Sequence, residues 1–221
     1  MRRSSTIHAL SIVLLCVLPV LGGTSGCAVV YQLVNGDGPK VPAKYSGLKE
    51  KRVAVVCVMD SESYDDPVVT DAIADNVGRI LKKNIRDIDV VTHEEVSDWK
   101  DTNDWNEADF DDIGRGVKAD VVLAIVLNDF GVNDNGSREL LRGHADVTVS
   151  VYDVKDKGKE LFKTTDHGHS FPTSHAISAV STKWQDFQRT YVQVLSDDVA
   201  KYFYDYNMAE DFAKDAAAYA H

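Results

Sequence analysis

The run "RVAVVCVMD", Arg52 to Asp60, constrains the fold most tightly, because it is apolar at nearly every position and rich in valine. A strand of that composition has no wet face, so it belongs at the centre of a sheet with material packed on both sides. The next segment supplies such a covering. In "DDPVVTDAIADNVGRILKKNI" acidic residues precede Pro67, which suits a first helical turn, and Val69, Ile73, Val77, Ile80 and Leu81 recur at helical spacing. Lys82 and Lys83 close the segment, where positive charge complements the helix dipole.

The alternation continues along the chain. "IDVVTHEEV" reads as a short second strand, "WNEADFDDIGRGV" as a second amphipathic helix with Phe110, Ile113 and Val117 on one side, and "ADVVLAIVLNDF" as a third strand. After the turn signal "NDNG" the pattern changes. "RGHADVTVSVYDV" sets Ala145, Val147, Val149 and Val151 against His144, Asp146, Thr148 and Ser150, which marks a strand with one packed and one wet face. "KDKGK" is a further turn, and "KELFKTTDHGHSF" pairs back beyond it. "WQDFQRTYVQVLSDDVAKYFYDY" is a long closing helix whose Trp184, Phe187, Tyr191, Val194, Leu195, Val199, Tyr202 and Phe203 form the side that covers the sheet. The order β-α-β-α-β-β-β-α predicts an α/β fold with α+β character in its C-terminal half. It has a mixed sheet of about five strands, the first three largely parallel, with helices packed on it.

Ahead of this body stands a different kind of segment. Arg2 and Arg3 precede the apolar stretch "IHALSIVLLCVLPVL", which is the layout of a secretory signal and is too short for a spanning helix of roughly 20 residues. Its end, "TSGC", resembles the lipobox of bacterial lipoproteins, in which small residues precede a cysteine that is acylated and becomes the new first residue. Ser25, Gly26 and Cys27 match that pattern, while Thr24 stands where the family carries an aliphatic residue. The resemblance implies lipidation at Cys27. Cysteine usage agrees with an anchor: Cys16 departs with the signal, and Cys57 falls in a strand where a cysteine acts as a small hydrophobe. The expected division is a lipoprotein signal over 1–26, a tether over 27–50 marked by Gly36, Gly38, Pro39 and Pro42, one α/β domain over 51–206, and an acidic, alanine-rich tail over 207–221.

Loss of residues 1–26 from the 221 takes Arg2 and Arg3 away and moves the formal charge from -11 to -13. Such an acidic chain does not suit nucleic acid, whose phosphates call for a basic face, nor electrostatic adhesion to anionic lipid. Contact with a membrane then falls to the acyl chains.

The strand "RVAVVCV" after a lipoprotein-like start, "VKADVVLAIVLNDF" at the third strand and "VTVSVYDVKDKGKELFK" at the hairpin resemble one superfamily of periplasmic α/β domains. It comprises the curli secretion-channel lipoproteins, the lipoprotein activators of penicillin-binding proteins and the N-terminal domain of the Tol translocation protein. The resemblance spans roughly Arg52 to Tyr204. It implies a non-enzymatic module that binds another envelope protein, in assembly or regulation, and that faces the periplasm. Ala28, which follows the cysteine, favours the outer membrane over the inner one.

Residues that could carry chemistry are few. His167, His169 and His175 lie in "DHGHSFPTSH", and the first two are expected on one strand face, a spacing that zinc or copper uses. An exported metal or small-ligand binder built on them is the alternative to the protein-binding reading. Asp101 and Asn103 begin like a calcium loop, but Trp105 and Asn106 break the pattern, leaving a helix cap and a solvated acidic face. Neither a nucleophile elbow nor a phosphate-cradling glycine loop is present, so no catalytic residue and no cofactor site is assigned.

Overall fold

The computed structural model describes residues 40–60, 66–103, 105, 109–134 and 137–207. The signal, Cys16, Cys27, most of the tether and the tail beyond Asn207 lie outside the described residues.

The apolar run becomes β2, Arg52–Met59, whose six inner residues are all buried. It pairs in parallel with β3, Asp89–Val90, on one side and with β4, Val121–Asn133, on the other. From β4 the sheet continues antiparallel through β5, Leu140–Asp153, to β6, Lys159–Phe171. A short β7, Ile177–Ser178, also pairs with β5. The order β3-β2-β4-β5-β6 is the mixed sheet that the sequence predicts, with its three parallel strands together. Arg52 ties their starts: its guanidinium meets Asp89 at 2.8 Å and Glu95 at 3.0 Å, and its backbone N–H donates to Asp120 at 2.9 Å.

Helices cover both faces. Helix α1, Pro67–Asn84, and helix α4, Trp184–Ala200, pack on the face that carries Val53, Val55, Leu123, Ile125, Val147 and Val149. Helix α2, His93–Thr102, and helix α3, Phe110–Gly116, cover Ala54, Val56, Val58 and Val122 on the other face. That second layer reaches β5 only at its end, where Phe110 stacks on Tyr152. Beyond it the same face of β5 and β6 is wet, and Asn128, Thr148 and Thr165 join in a ladder of hydrogen bonds at 3.0 and 3.2 Å. The alternation in β5 is as expected, with Ala145, Val147, Val149 and Val151 buried. The aromatic side of α4 faces the core through Phe187, Tyr191, Leu195 and Val199, while Trp184 is left exposed.

Two local features differ from the sequence expectation. The second strand keeps only Asp89 and Val90, because Thr92 accepts from the backbone N–H of Glu95 at 3.2 Å and starts α2 there. The Thr-x-x-Glu spacing of a capping box carries this signal, and it outweighs the apolar run before it. Asn103 is indeed a helix cap, with its backbone N–H directed at the carbonyl of Trp99, and Asn106 lies outside the described residues. Residues 40–50, read from the sequence as tether, pack on the body instead. Leu48 is fully buried, Tyr45 meets Phe162 and Phe203, and β1, Lys40–Val41, pairs antiparallel with β8, Tyr206–Asn207. The two ends of the described chain therefore meet.

Close packing predicts one stability effect. Gly143 on β5 lies against the ring of Tyr191, and a Cβ there would overlap that ring. The Gly143→Ala protein is expected to lose about 1–3 kcal/mol, read as a lower urea midpoint at an unchanged slope.

Candidate functional site

Where the chain ends meet, a cleft of about 380 Å³ opens between the β1–β8 pair, the last part of β6 and the end of α4. Its apolar wall includes Val41, Pro42, Phe171 and Val194, and its polar side includes Lys44, Asp166, His169, Asp198, Lys201 and Tyr202. Among the described residues it is the clearest concave site with convergent titratable groups, the usual starting point for a binding or catalytic hypothesis.

Local sequence brings these groups together. In α4 and the helical turn after it, the spacing of Asp197, Asp198 and Lys201 sets both carboxylates one turn before the ammonium, at 3.3 and 2.7 Å. Opposite them a bulge reshapes β6. His169 pairs with Ala145 but Asp166 pairs with Val147, so two residues of β6, His167 and Gly168, face the single residue Asp146. Gly168 takes φ +72°, a conformation that L side chains rarely adopt, and its N–H donates to Asp146 at 2.6 Å. That bond, followed by the nearby imidazoles, holds the Asp146 carboxyl below the usual carboxylate range.

The bulge corrects the expectation for the histidines. His169 turns towards α4, whereas His167 is exposed and lies 3.5 Å from Asp146 on the opposite, wet face. The extra residue shifts the period of two, so the pair shares no face. His175 sits exposed in the segment before β7. Among the described residues no three His, Cys, Asp or Glu side chains are grouped to hold a metal ion.

His169 is held at both ring nitrogens. Nε2 is 3.1 Å from Asp198 and Nδ1 is 3.2 Å from the Tyr191 hydroxyl. For Asp198, burial is the largest single influence and acts upward. The hydrogen bonds and charges of His169 and Lys201 together outweigh it and keep the carboxyl below its ordinary range. A proton on Nε2 suits the Asp198 carboxylate, and in that tautomer Nδ1 accepts from the Tyr191 hydroxyl. Burial, helped by the charges of Asp129, Asp166 and Asp198, pushes the Tyr191 phenol far above its usual value. Tyr202 is raised as well, first by burial and then by Asp166, to which its hydroxyl donates at 3.4 Å.

This network satisfies itself. Tyr191 is a proton donor rather than a nucleophile, and His169 has no ring nitrogen left to activate a second hydroxyl. The arrangement positions charge at the base of a cleft, which suits binding. Sequence reasoning missed it because its partners stand on separate elements, β6 and the end of α4, that only the fold brings together. Only the Asp-Asp-x-x-Lys spacing at the end of α4 was available as a signal.

No family model matches this chain, and no curated protein matches it either. Among solved structures, lipoprotein GNA1162 from Neisseria meningitidis is 15% identical with a TM-score of 0.44, covering 67% of this chain and 97% of that one. PelC from Paraburkholderia phytofirmans, solved as a dodecamer, is 12% identical with a TM-score of 0.43 over 75% of this chain and 97% of that one. Protein XCC0632 from Xanthomonas campestris is 11% identical with a TM-score of 0.42, over 75% and 88%. Similarity at this level carries no function across.

The network has a pH signature. A depressed carboxyl contributes stability above its unfolded pKa, near ~3.9. That contribution disappears as pH falls through the lower folded value. Stability is therefore expected to drop below about pH 4, and Asp198→Asn is expected to flatten that drop. At neutral pH the same substitution is expected to cost on the order of 1–3 kcal/mol, kept modest because Asp198 is only half-buried. Urea melts of both proteins between pH 3 and 7 provide the comparison.

Proposed function

We propose that this protein is an exported lipoprotein, held at a bacterial membrane through acyl chains on Cys27, whose α/β body binds another envelope protein without catalysing a reaction. The observation that carries the reading is the succession of Arg2 and Arg3, the apolar stretch, and Ser25-Gly26-Cys27. The 13 residues from Cys27 to Lys40 reach at most about 45 Å, which would keep the cleft at the β1–β8 clasp near the bilayer. Among the described residues no helix is long and apolar enough to cross a membrane.

One further observation supports binding over catalysis. The ionisable groups of the cleft are engaged with one another: His169 with Tyr191 and Asp198, Lys201 with Asp198, and Tyr202 with Asp166. The finer expectations follow from the superfamily resemblance of the strand and hairpin segments. They are a periplasmic orientation, the outer membrane as the site of the anchor, and a role in assembly or regulation.

Fractionation of cells that express the native chain or its Cys27→Ala variant tests the proposal. The native protein is expected in the membrane fraction and in the detergent phase of a phase separation, and the variant in soluble extract or as unprocessed precursor. Equal partitioning of the two forms would overturn the anchor.

A further inference from the structure

Of the five large apolar residues left exposed among the described residues, three stand at one end of the sheet: Leu140, Val180 and Trp184. Leu140 opens β5 and pairs with Ser178 of β7. Val180 lies in the turn that follows β7, and Trp184 is the first residue of α4. The turn is well braced. Ile177 and Ala179 pack on the core, the Ala179 N–H donates to the Glu139 carbonyl at 2.9 Å, and the Ser181 N–H donates to that of Ser178 at 3.1 Å. With its neighbours fixed in this way, Val180 is held outward at 94% exposure. A single exposed apolar residue needs no explanation, but three at one margin of the sheet call for one.

Two features of this end bear on what covers it. From His167 to Gln185 the sequence has no Asp or Glu, although the whole chain has 35, and Lys183 and Arg138 flank the turn against the one carboxylate of Glu139. Asp186, next along the chain, is paired with Arg189. This is also the end at which the chain enters. Val41 and Pro42 line the cleft with Phe171 and Thr173, and Phe171 stacks on Phe187, one turn into α4 from Trp184. Phe171 pairs with Gly143, so Leu140 is only three residues, or about 10 Å, further along β5.

We infer that the Val180 turn and Trp184 rest in the headgroup and acyl boundary of the bilayer that holds the anchor. The inference rests on the reading of Cys27 as an acylated residue and adds a second contact, which sets the end of the body that faces the lipid. Tryptophan suits that boundary, because its ring is apolar and its indole N–H reaches water and headgroups. Anionic lipid repels a chain of charge -11, so close approach needs an end where carboxylates are few and where Lys183 and Arg138 meet phosphate. A stable protein interface takes about 800 Å² from each partner, more than these three side chains expose, whereas a bilayer accepts a few protruding groups.

The test uses the full chain, processed and purified from membranes, in vesicles of phosphatidylethanolamine and phosphatidylglycerol that carry acyl-brominated lipid as quencher. Flotation of the vesicles reads the anchor. Val180→Cys places a bimane label in the turn, and Asp156→Cys places one in the exposed turn at the far end of β5 as control, while Cys57 is buried. Both proteins are expected to float, and the label at 180 is expected to lose on the order of half its emission, as for a group about 5–10 Å into the boundary, with no loss at 156. The unlabelled native chain supplies a second readout. Its tryptophan emission is expected to be quenched in part, and Trp184→Phe to abolish that part, since Trp99 and Trp105 pack against the second cluster of the core. Floating protein with equal emission loss at 180 and 156, or with equal tryptophan quenching in the native and Trp184→Phe chains, overturns the inference and leaves the anchor standing. Protein that does not float overturns both.

Discussion

The pairing of β2 with β4 is the constraint from which the rest of the structure follows. Val53 to Met59 run in parallel register with Val121 to Leu127, and almost every side chain in both rows is apolar and buried, on both faces of the sheet. Burial of a valine, leucine or isoleucine is worth up to about 1.5–3 kcal/mol, an upper bound because unfolded chains already hide some surface. Two adjacent rows of such residues cannot be left wet on either side. Helices α1 and α4 are therefore required on one face, and α2 with α3 on the other. Parallel strands also need crossovers, which is why the first half of the chain alternates strand with helix.

Polar chemistry is displaced to the margins by the same constraint. At the start of the parallel strands, Arg52, Asp89, Glu95 and Asp120 brace one another where the sheet meets solvent. Asp120 is held below its ordinary range, first by the hydrogen bond from Lys155 and then by the N–H of Arg52. At the other margin, antiparallel β5 and β6 extend beyond the second helix layer and keep one wet face. The concave site lies on the packed side of β6, where the apolar covering ends. The Gly168 bulge turns His169 inward, and α4 finishes in Asp197, Asp198 and Lys201. The first and last strands close over it, so the entry and exit of the chain form the rim of the cleft.

Much of this architecture was legible in the sequence because burial on two faces leaves a signature that no other environment produces. Continuous valine in Arg52 to Asp60, alternation in Ala145 to Val151 and the spacing of three and four in the last helix each report how many sides of an element are dry. Thr92 was legible in principle as the first residue of a capping box, but the apolar residues ahead of it read as strand. The bulge at Gly168 was not legible, since a glycine in a polar strand is compatible with regular pairing as well as with a break. The His167 and His169 spacing therefore suggested a shared face that the backbone does not provide. The packing of Tyr45 and Leu48 was hidden for a different reason. Isolated apolar residues among prolines and glycines show no period, and only contact with Phe162 and Phe203 gives them a place.

The proposed function ties the body to a membrane through the cysteine that precedes it. On that proposal acylation would hold a strongly acidic domain, which anionic lipid would repel, beside a bilayer. The mass of the intact protein isolated from native membranes tests this most directly. The account predicts a chain that begins at Cys27 and carries the added mass of a lipidated N-terminal cysteine. A mature chain that begins at any other residue, or one that begins at Cys27 with an unmodified thiol, contradicts it.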